Sequence, residues 1–424
     1  MIAARAALLA ALLLACCHAR AQPSDASDVT PDLRGAVVAY RAGDLVTAEA
    51  NFRRLAPGNP EAEAWLGAVL MERGSTREGM QALQHAADAG SAEGAHRLAL
   101  VFAQGQGGTA RNDARALELF QKAATLGNQR AQVNVGILYF RGQGVPRDLG
   151  QARAWLEKAA ANNDPYALYA LGRTMDETQG LAGADPVRAA DLYRRAAELG
   201  HPLAAMRYGL ALAEGNGVKK DSIAALKWLT YAQANGVAEA GLALGDLYAR
   251  TPPQRDKTAT VKTLQSAVSW YEAAAQAGVA SAQFKLANAY IAGAGVARDP
   301  AQAQRWYERA AQQGLPEAEY ALALFLIGGM SGAADPVEGY KWLLIAERAG
   351  YADARPVREK AAEQVPGSER SRIEAVAQKF VAKPERPADE APPNSAIRWR
   401  RCATAWRSST ATASRRSRPR RSSG

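Results

Sequence analysis

Apolar residues fall three and four positions apart through most of the chain, with polar residues filling the gaps. The pattern is clearest over residues 127 to 163. There Ala131, Val135, Leu138 and Tyr139 share one helical face, and the run stops at Gly142-Gln143-Gly144-Val145. A second run through Ala152, Trp155, Leu156, Ala159 and Ala160 follows Asp148 and closes near Asn163. The spacing predicts two helices joined by a turn whose glycines accept positive φ. Asp148 stands where an N-cap should, accepting from the first free amides of the second helix.

The same pattern returns along the chain. Its closing marks, Gly90, Gly127, Asn163, Gly200, Gly236, Gly278, Gly314 and Gly350, are 37, 36, 37, 36, 42, 36 and 36 residues apart. Such a period marks a solenoid, whose units bury their apolar faces only against neighbours. Gly215-Asn216-Gly217-Val218 with Asp221, and Gly293-Ala294-Gly295-Val296 with Asp299, repeat the turn and cap. Pro186, Pro300 and Pro336 each follow an Asp, at the first helical position where a missing N–H costs nothing. Second helices bring a large residue to one slot, Leu119, Trp155, Leu192, Trp228, Trp270, Trp306 and Trp342, expected to fill the core beside paired alanines such as Ala159-Ala160 and Ala310-Ala311. Two units depart: Asp176 to Asp185 replaces one glycine turn, and a polar insert, Thr251 to Thr263, displaces another.

Residues 32 to 89 read as two looser hairpins, 90 to 350 as seven full repeats in one array, and 351 to 382 as one or two capping helices. Upstream, Arg5 and the apolar run Ala6 to Ala15 precede Ala19-Arg20-Ala21, which matches a secretory signal peptide over residues 1 to 21, with 22 to 31 as linker. Leu13-Leu14-Ala15-Cys16 also resembles a lipobox, in which Cys16 would carry a lipid anchor. Both readings export the array, to the periplasm or, if lipidated, to the outer membrane. Ten apolar residues are too few for a transmembrane helix.

Charge changes little once located. Of the formal +10, the leader's Arg5 and Arg20 and a tail from Lys383 to Gly424, with eleven Lys or Arg against three acids, account for all of it. Residues 22 to 382 are neutral, so no nucleic-acid partner is expected for the folded part. Arg-rich and poor in aliphatic residues, residues 383 to 424 read as disordered. That tail suits a basic arm for anionic lipid, polysaccharide or nucleic acid, and equally a shifted reading frame. Cysteines stand only at 16, 17 and 402, so the repeats hold neither disulfide nor thiolate metal site.

Catalytic patterns are lacking. Four histidines occur, at 18, 85, 96 and 201, and His96 shares a packing slot with Val133, Tyr169, Met206, Leu242, Phe284 and Tyr320. No HExxH or nucleophile elbow exists, and the glycine turns lack the Lys and Ser or Thr of a phosphate loop. We expect no enzymatic activity, no cofactor and no metal.

The recurring A-x-x-x-L-G-x-x-Y-x-x-G-x-G-V-x-x-D, followed by A-x-x-W-x-x-x-A-A-x-x-G, resembles the Sel1-like repeat family, relatives of tetratricopeptide repeats. The resemblance implies an all-α, right-handed α-solenoid whose first helices line a concave surface. A cysteine-rich branch of that family is associated with β-lactam binding and hydrolysis; this chain lacks those cysteines, and the activity does not carry over. Exported members act in secretion and polysaccharide-export assembly, receptor regulation and host contact. The slot at Asn134 is not needed for the core, and with the slot three residues later on the same face it supplies Arg97, Asn134, Arg173, Arg207, Asp246, Lys285 and Asn288 as candidate partner-binding residues of the concave face. The favoured function is a non-catalytic scaffold of the bacterial envelope that binds a protein. The alternative is glycan or peptidoglycan binding, with Tyr166, Tyr169 and Tyr320 as candidate aromatics.

Overall fold

The structure, a computed structural model, describes residues 31–176, 183–251 and 257–385, and among them every regular element is an α-helix, twenty in all. The leader with Cys16, residues 177–182 and 252–256 of the two irregular segments, and the tail from 386 lie outside the described residues. Two hairpins come first, α1 (Pro31–Arg41) with α2 (Leu45–Leu55) and α3 (Pro60–Glu72) with α4 (Thr76–Asp88). Seven more follow. The first four pair α5 (Ala92–Gln104) with α6 (Asp113–Thr125), α7 (Gln129–Arg141) with α8 (Leu149–Ala160), α9 (Pro165–Arg173) with α10 (Pro186–Glu198), and α11 (Pro202–Glu214) with α12 (Ser222–Ala234). The last three pair α13 (Glu239–Ala249) with α14 (Lys257–Gln276), α15 (Ala280–Ala292) with α16 (Pro300–Gln312), and α17 (Pro316–Ile327) with α18 (Pro336–Arg348). Two caps, α19 (Ala354–Ala362) and α20 (Gly367–Gln378), end the helical part.

Although the sequence period reads as one array, the described residues divide into two compact units, 31–204 with 216–218, and 205–215 with 219–385. Each unit is an α-solenoid of stacked hairpins with its own apolar clusters.

Local chemistry places the helix ends as the pattern predicts. Asp148 accepts from Gln151 N at 2.9 Å, and Asp185, Asp221, Asp299 and Asp335 cap their helices in the same way. Asn163, at φ 55°, is the one non-glycine with positive φ among the described residues. The second turn glycine has a further duty. Gly144 (φ 71°) lies so close to the start of α6 that a Cβ would come within 2.5 Å of the Asp113 carbonyl, and Gly217 and Gly295 approach Pro186 and Leu264 likewise. The turn therefore needs glycine twice, for its dihedral and for the backbone of the preceding repeat.

The contact with Leu264 also explains the insert. Residues 257 to 263 are helical, so that part of the expected polar interruption is an N-terminal extension of a 20-residue α14, with Leu264 where a regular second helix begins. In the other irregular unit Arg153 takes over the glycine turn's role, its Nη2 donating to the Thr174 carbonyl at 2.6 Å and the Gly183 carbonyl at 3.0 Å. At the far end, Lys383 to Glu385, assigned by composition to the tail, are held: Lys383 N donates to the Gln312 carbonyl at 2.8 Å and Glu385 pairs with Arg309.

The core needs one correction. Leu119, Leu192 and Trp342 are buried, but Trp155, Trp228, Trp270 and Trp306 are half-buried, because their slot is one residue, about 100°, from the core-facing direction. Lys158 lies 4.5 Å over Trp155 and Arg309 4.6 Å over Trp306. The anchor is the next residue: Phe120, Leu156, Tyr193, Leu229, Tyr271, Tyr307 and Leu343, all buried. Opposite these, at one register of the first helices, stand Ala99, Gly136, Gly172, Gly209, Gly245, Ala287 and Ala323. A Cβ on Gly136 would be 2.5 Å from Leu156 Cγ, and one on Gly172 would be 2.7 Å from Tyr193 Cε1.

Gly136→Ala should therefore lower stability by about 1–3 kcal/mol through overpacking, although alanine favours a helix. Gly35→Ala on exposed α1, where an added Cβ meets nothing within 4 Å, should stabilise by up to about 1 kcal/mol. Urea unfolding followed by circular dichroism compares the two; equal effects would refute the close-approach argument.

Candidate partner-binding face

The sequence-derived candidates stand on first helices, half-buried or exposed, and most are engaged with neighbours. In the first unit Arg97 on α5 pairs with Glu93 at 2.6 Å and lies 4.0 Å over the Trp65 ring and 5.8 Å from that of Tyr40. Burial acts to raise the Glu93 carboxyl pKa, but the Arg97 guanidinium above all, with Arg130, outweighs it and leaves it lowered. Asn134 Nδ2 is 3.3 Å from His96 Nε2. Burial pushes His96 down to about 4, so the ring is neutral at pH 7 and can accept from Asn134. Arg173 lies 5.4 Å over Phe140.

In the second unit Arg207 on α11 is half-buried. Asp246 and Lys285 are brought together at 3.4 Å, and Asn288 is exposed three residues after Lys285 on α15. An ion pair this exposed contributes about 0–1 kcal/mol, so a partner could displace it at small cost.

Asp246 and Asn288 have a role the slot analysis missed. Tyr271 Oη donates to Asp246 at 2.7 Å and Tyr307 Oη donates to Asn288 at 2.5 Å. Burial, then the hydrogen bond to Asp246, raises the Tyr271 hydroxyl pKa, and burial pushes Tyr307 up to about 12. The signal was present in the sequence. Where the second-helix anchor is Phe120, Leu156, Leu229 or Leu343, the matched first-helix slot holds Leu100, Ile137, Leu210 or Leu324. Where the anchor is Tyr271 or Tyr307, the slot turns polar, because a buried hydroxyl needs an acceptor. Tyr193 obeys the same rule through Asp176, which accepts its hydroxyl at 2.9 Å, leaving the Arg173 slot free for a cation.

Of the aromatics considered for glycan stacking, only Tyr169 is buried, while Tyr166 and Tyr320 are half-buried against neighbouring rings. Tyr169 is buried with its ring 4.6 Å from that of His201, Tyr166 faces the same ring at 5.9 Å, and Tyr320 packs on Tyr351 at 4.9 Å. No group of three His, Cys, Asp or Glu among the described residues could hold a metal ion. Among them, too, no helix is long and apolar enough to cross a membrane.

Comparison with known proteins fits this geometry. The Sel1 repeat profile matches residues 92–128, 129–164, 165–201, 202–236, 264–279, 280–315 and 316–351, more than half of the chain. This chain belongs to the Sel1 repeat family. Sel1 repeats generally mediate protein–protein interaction. The profile lapses over 237–263, yet α13 stands there and carries Gly245 against Tyr271, completing the fifth repeat.

The solved Sel1 repeat protein from Oxalobacter formigenes is similar over 82% of this chain and 99% of its own, at 25% identity and a TM-score of 0.59. Chitin synthase regulatory factor 3 of Schizosaccharomyces pombe is 27% identical over 49% of this chain and 22% of its own length. The ERAD-associated E3 ubiquitin-protein ligase component HRD3B of Arabidopsis thaliana is 36% identical over 25% of this chain and 16% of its own. The chain thus spans less than a quarter of the length of these two relatives.

One buried group sets a pH dependence. Glu319 on α17 is 1% exposed and its Oε2 has no hydrogen-bond partner. Gln132 and Gln283 occupy the same register and donate Nε2 to the carbonyls of Ala124 and Ala275, eight residues back. Burial, with Glu317 adding to it, pushes Glu319 up to about 7 from an ordinary 4.5. A raised carboxyl pKa favours the protonated fold, so that stability is present below pH 4.5 and is lost as pH rises through about 7. Glu319→Gln should remove this dependence, gaining on the order of 1–3 kcal/mol over the wild type at pH 8.5 and nothing comparable at pH 5. Thermal melts at both pH values check it.

The hydroxyl rule is tested by a double-mutant cycle. Asp246→Leu alone should cost about 1–3 kcal/mol by stranding the Tyr271 hydroxyl, and adding Tyr271→Phe should recover most of it. Additive losses in urea titrations would contradict the pairing.

Proposed function

We propose that this protein is a non-catalytic scaffold of the bacterial envelope that binds a partner protein on the concave face lined by its first helices. One observation carries the reading: within each unit the core register is held constant while the neighbouring outward slots vary, offering Arg97, Asn134 and Arg173 in one and Arg207, Asp246, Lys285 and Asn288 in the other. Packing accounts for Asp246 and Asn288, which accept the Tyr271 and Tyr307 hydroxyls, but it does not ask for the variation among Arg97, Asn134, Arg207 and Lys285. The relatives point the same way, one being named a regulatory factor and another a component of a ligase.

Charged donors fix orientation and speed encounter, and half-buried arginines lying on aromatic rings are held ready at small entropic cost. The envelope setting rests on the leader sequence, read as exported to the periplasm or as an outer-membrane lipoprotein through Cys16. Glycan or peptidoglycan recognition is the weaker reading, because Tyr166, Tyr169 and Tyr320 are packed against His201 and Tyr351.

Crosslinking capture from envelope extract, with wild type beside Arg207→Glu/Lys285→Glu, tests the proposal. A protein retained by the wild type and reduced at least tenfold by the variant is expected. Undiminished capture by the variant would remove the first-helix face from consideration.

A further inference from the structure

A second surface lies apart from that face in sequence and in the elements that build it. Where the cap folds over the last repeat of the second unit, α18, α20 and the segment after α20 enclose a solvent-open cavity of about 570 Å³. Its floor is apolar, made by Trp342, Ile345 and Phe380, with the Trp342 and Phe380 rings edge to face at 5.5 Å. Val376 and Val381 stand at its rim 53% and 73% exposed, an unusual placement for two valines.

The rim is cationic. Lys341, Lys379 and Lys383 line the cavity and no carboxylate does. Lys341 is paired with Glu338, whereas Lys379 and Lys383 are exposed and have no ion-pair partner among the described residues. The negative end of the α20 dipole, which would weaken this field, is met by Arg348, whose Nη1 donates to the carbonyls of Ala377 at 3.1 Å and Gln378 at 2.5 Å. The segment that closes the cavity is fixed by Lys383 N on the Gln312 carbonyl and by Arg309 Nε on Glu385 at 2.9 Å. The cavity is therefore a built concavity of ligand-pocket size, apolar within and positive at its mouth.

We propose that this cavity receives an acidic peptide segment of a partner protein, which seats a bulky apolar side chain on Trp342, Ile345 and Phe380 and sets flanking carboxylates on Lys379 and Lys383. The chain's own tail does not match, since residues 386 to 424 carry ten Lys or Arg against two acids, the same sign as the rim. A bilayer surface fits less well, because the floor is recessed behind the closing segment, where a side chain enters and a plane does not.

The test uses the full chain and a fluorescein-labelled peptide, Glu-Glu-Leu-Phe-Glu-Glu, by anisotropy at low salt. Binding is expected to fall at least tenfold in Lys379→Glu/Lys383→Glu, whose exposed side chains leave the helical circular dichroism unchanged. It should fall similarly for Gln-Gln-Leu-Phe-Gln-Gln and for Glu-Glu-Ser-Ser-Glu-Glu, and weaken with added salt. Arg207→Glu/Lys285→Glu should bind the peptide as the wild type does, which separates this site from the first-helix face. Absence of binding to the wild type, or equal affinity for the lysine variant, would overturn the proposal. So would phosphatidylglycerol vesicles whose binding the lysine variant abolishes while the peptide is unaffected.

Discussion

The hairpins depend on one close approach, a first-helix residue no larger than alanine facing a large second-helix anchor. Gly136 against Leu156, Gly172 against Tyr193, Gly209 against Leu229 and Gly245 against Tyr271 show it with glycine, and fully buried Ala99, Ala287 and Ala323 hold the same register elsewhere. Side-chain size at the crossing sets how near two helices lie. Interior packing tolerates little error in volume, so this register is nearly fixed while the positions around it are released. The slot of Arg97, Asn134, Arg207 and Lys285 is free to differ from repeat to repeat because the crossing does not use it.

The same crossing decides where polarity enters. An anchor that ends in a hydroxyl carries it toward the first helix, and a polar residue must meet it there. Tyr271 with Asp246 and Tyr307 with Asn288 are the direct form; Tyr193 with Asp176 is a displaced form in the unit whose turn is irregular. Two residues of the candidate face are thereby tied to the core. Arg97, held by Glu93 and Trp65, is tied in another way, while Lys285 is committed only by an exposed ion pair. A recognition face built on such a scaffold is therefore graded, with anchored groups that set geometry and loosely held ones that can change partners.

Much of this was legible in the sequence, because a repeat states each position several times. The caps at Asp148 and Asp299, the positive φ of Asn163 and the burial of His96 follow from local rules and appear as read. The tryptophan slot did not, since size alone does not give direction. Trp155 is larger than Leu156, but Leu156 points at Gly136 and Trp155 toward the helix edge beneath Lys158. The small residue of the first helix marks the crossing, but its separation from the anchor shifts by one between repeats, 20 residues from Gly136 to Leu156 and 21 from Gly172 to Tyr193, so spacing alone does not tell which of two adjacent residues faces inward. Long-range engagements were beyond reach: nothing local to Arg97 announces Trp65, and nothing in the composition of the tail announces that Lys383 to Glu385 pack on α16.

The two irregular units show what such a stack requires and what it only prefers. Residues 257 to 263 lengthen α14 without disturbing Leu264 against Gly295, because the extension lies beyond that contact. In the third repeat the glycine turn is gone, yet Asp185 still caps α10 and Arg153 holds the carbonyls of Thr174 and Gly183. What persists in both is the crossing, Gly172 on Tyr193 and Gly245 on Tyr271. When stability is mostly a sum of neighbouring interfaces, a turn can be rebuilt or a helix extended provided each crossing survives. That separation of what must be kept from what may vary lets one repeat unit carry a different surface at every step.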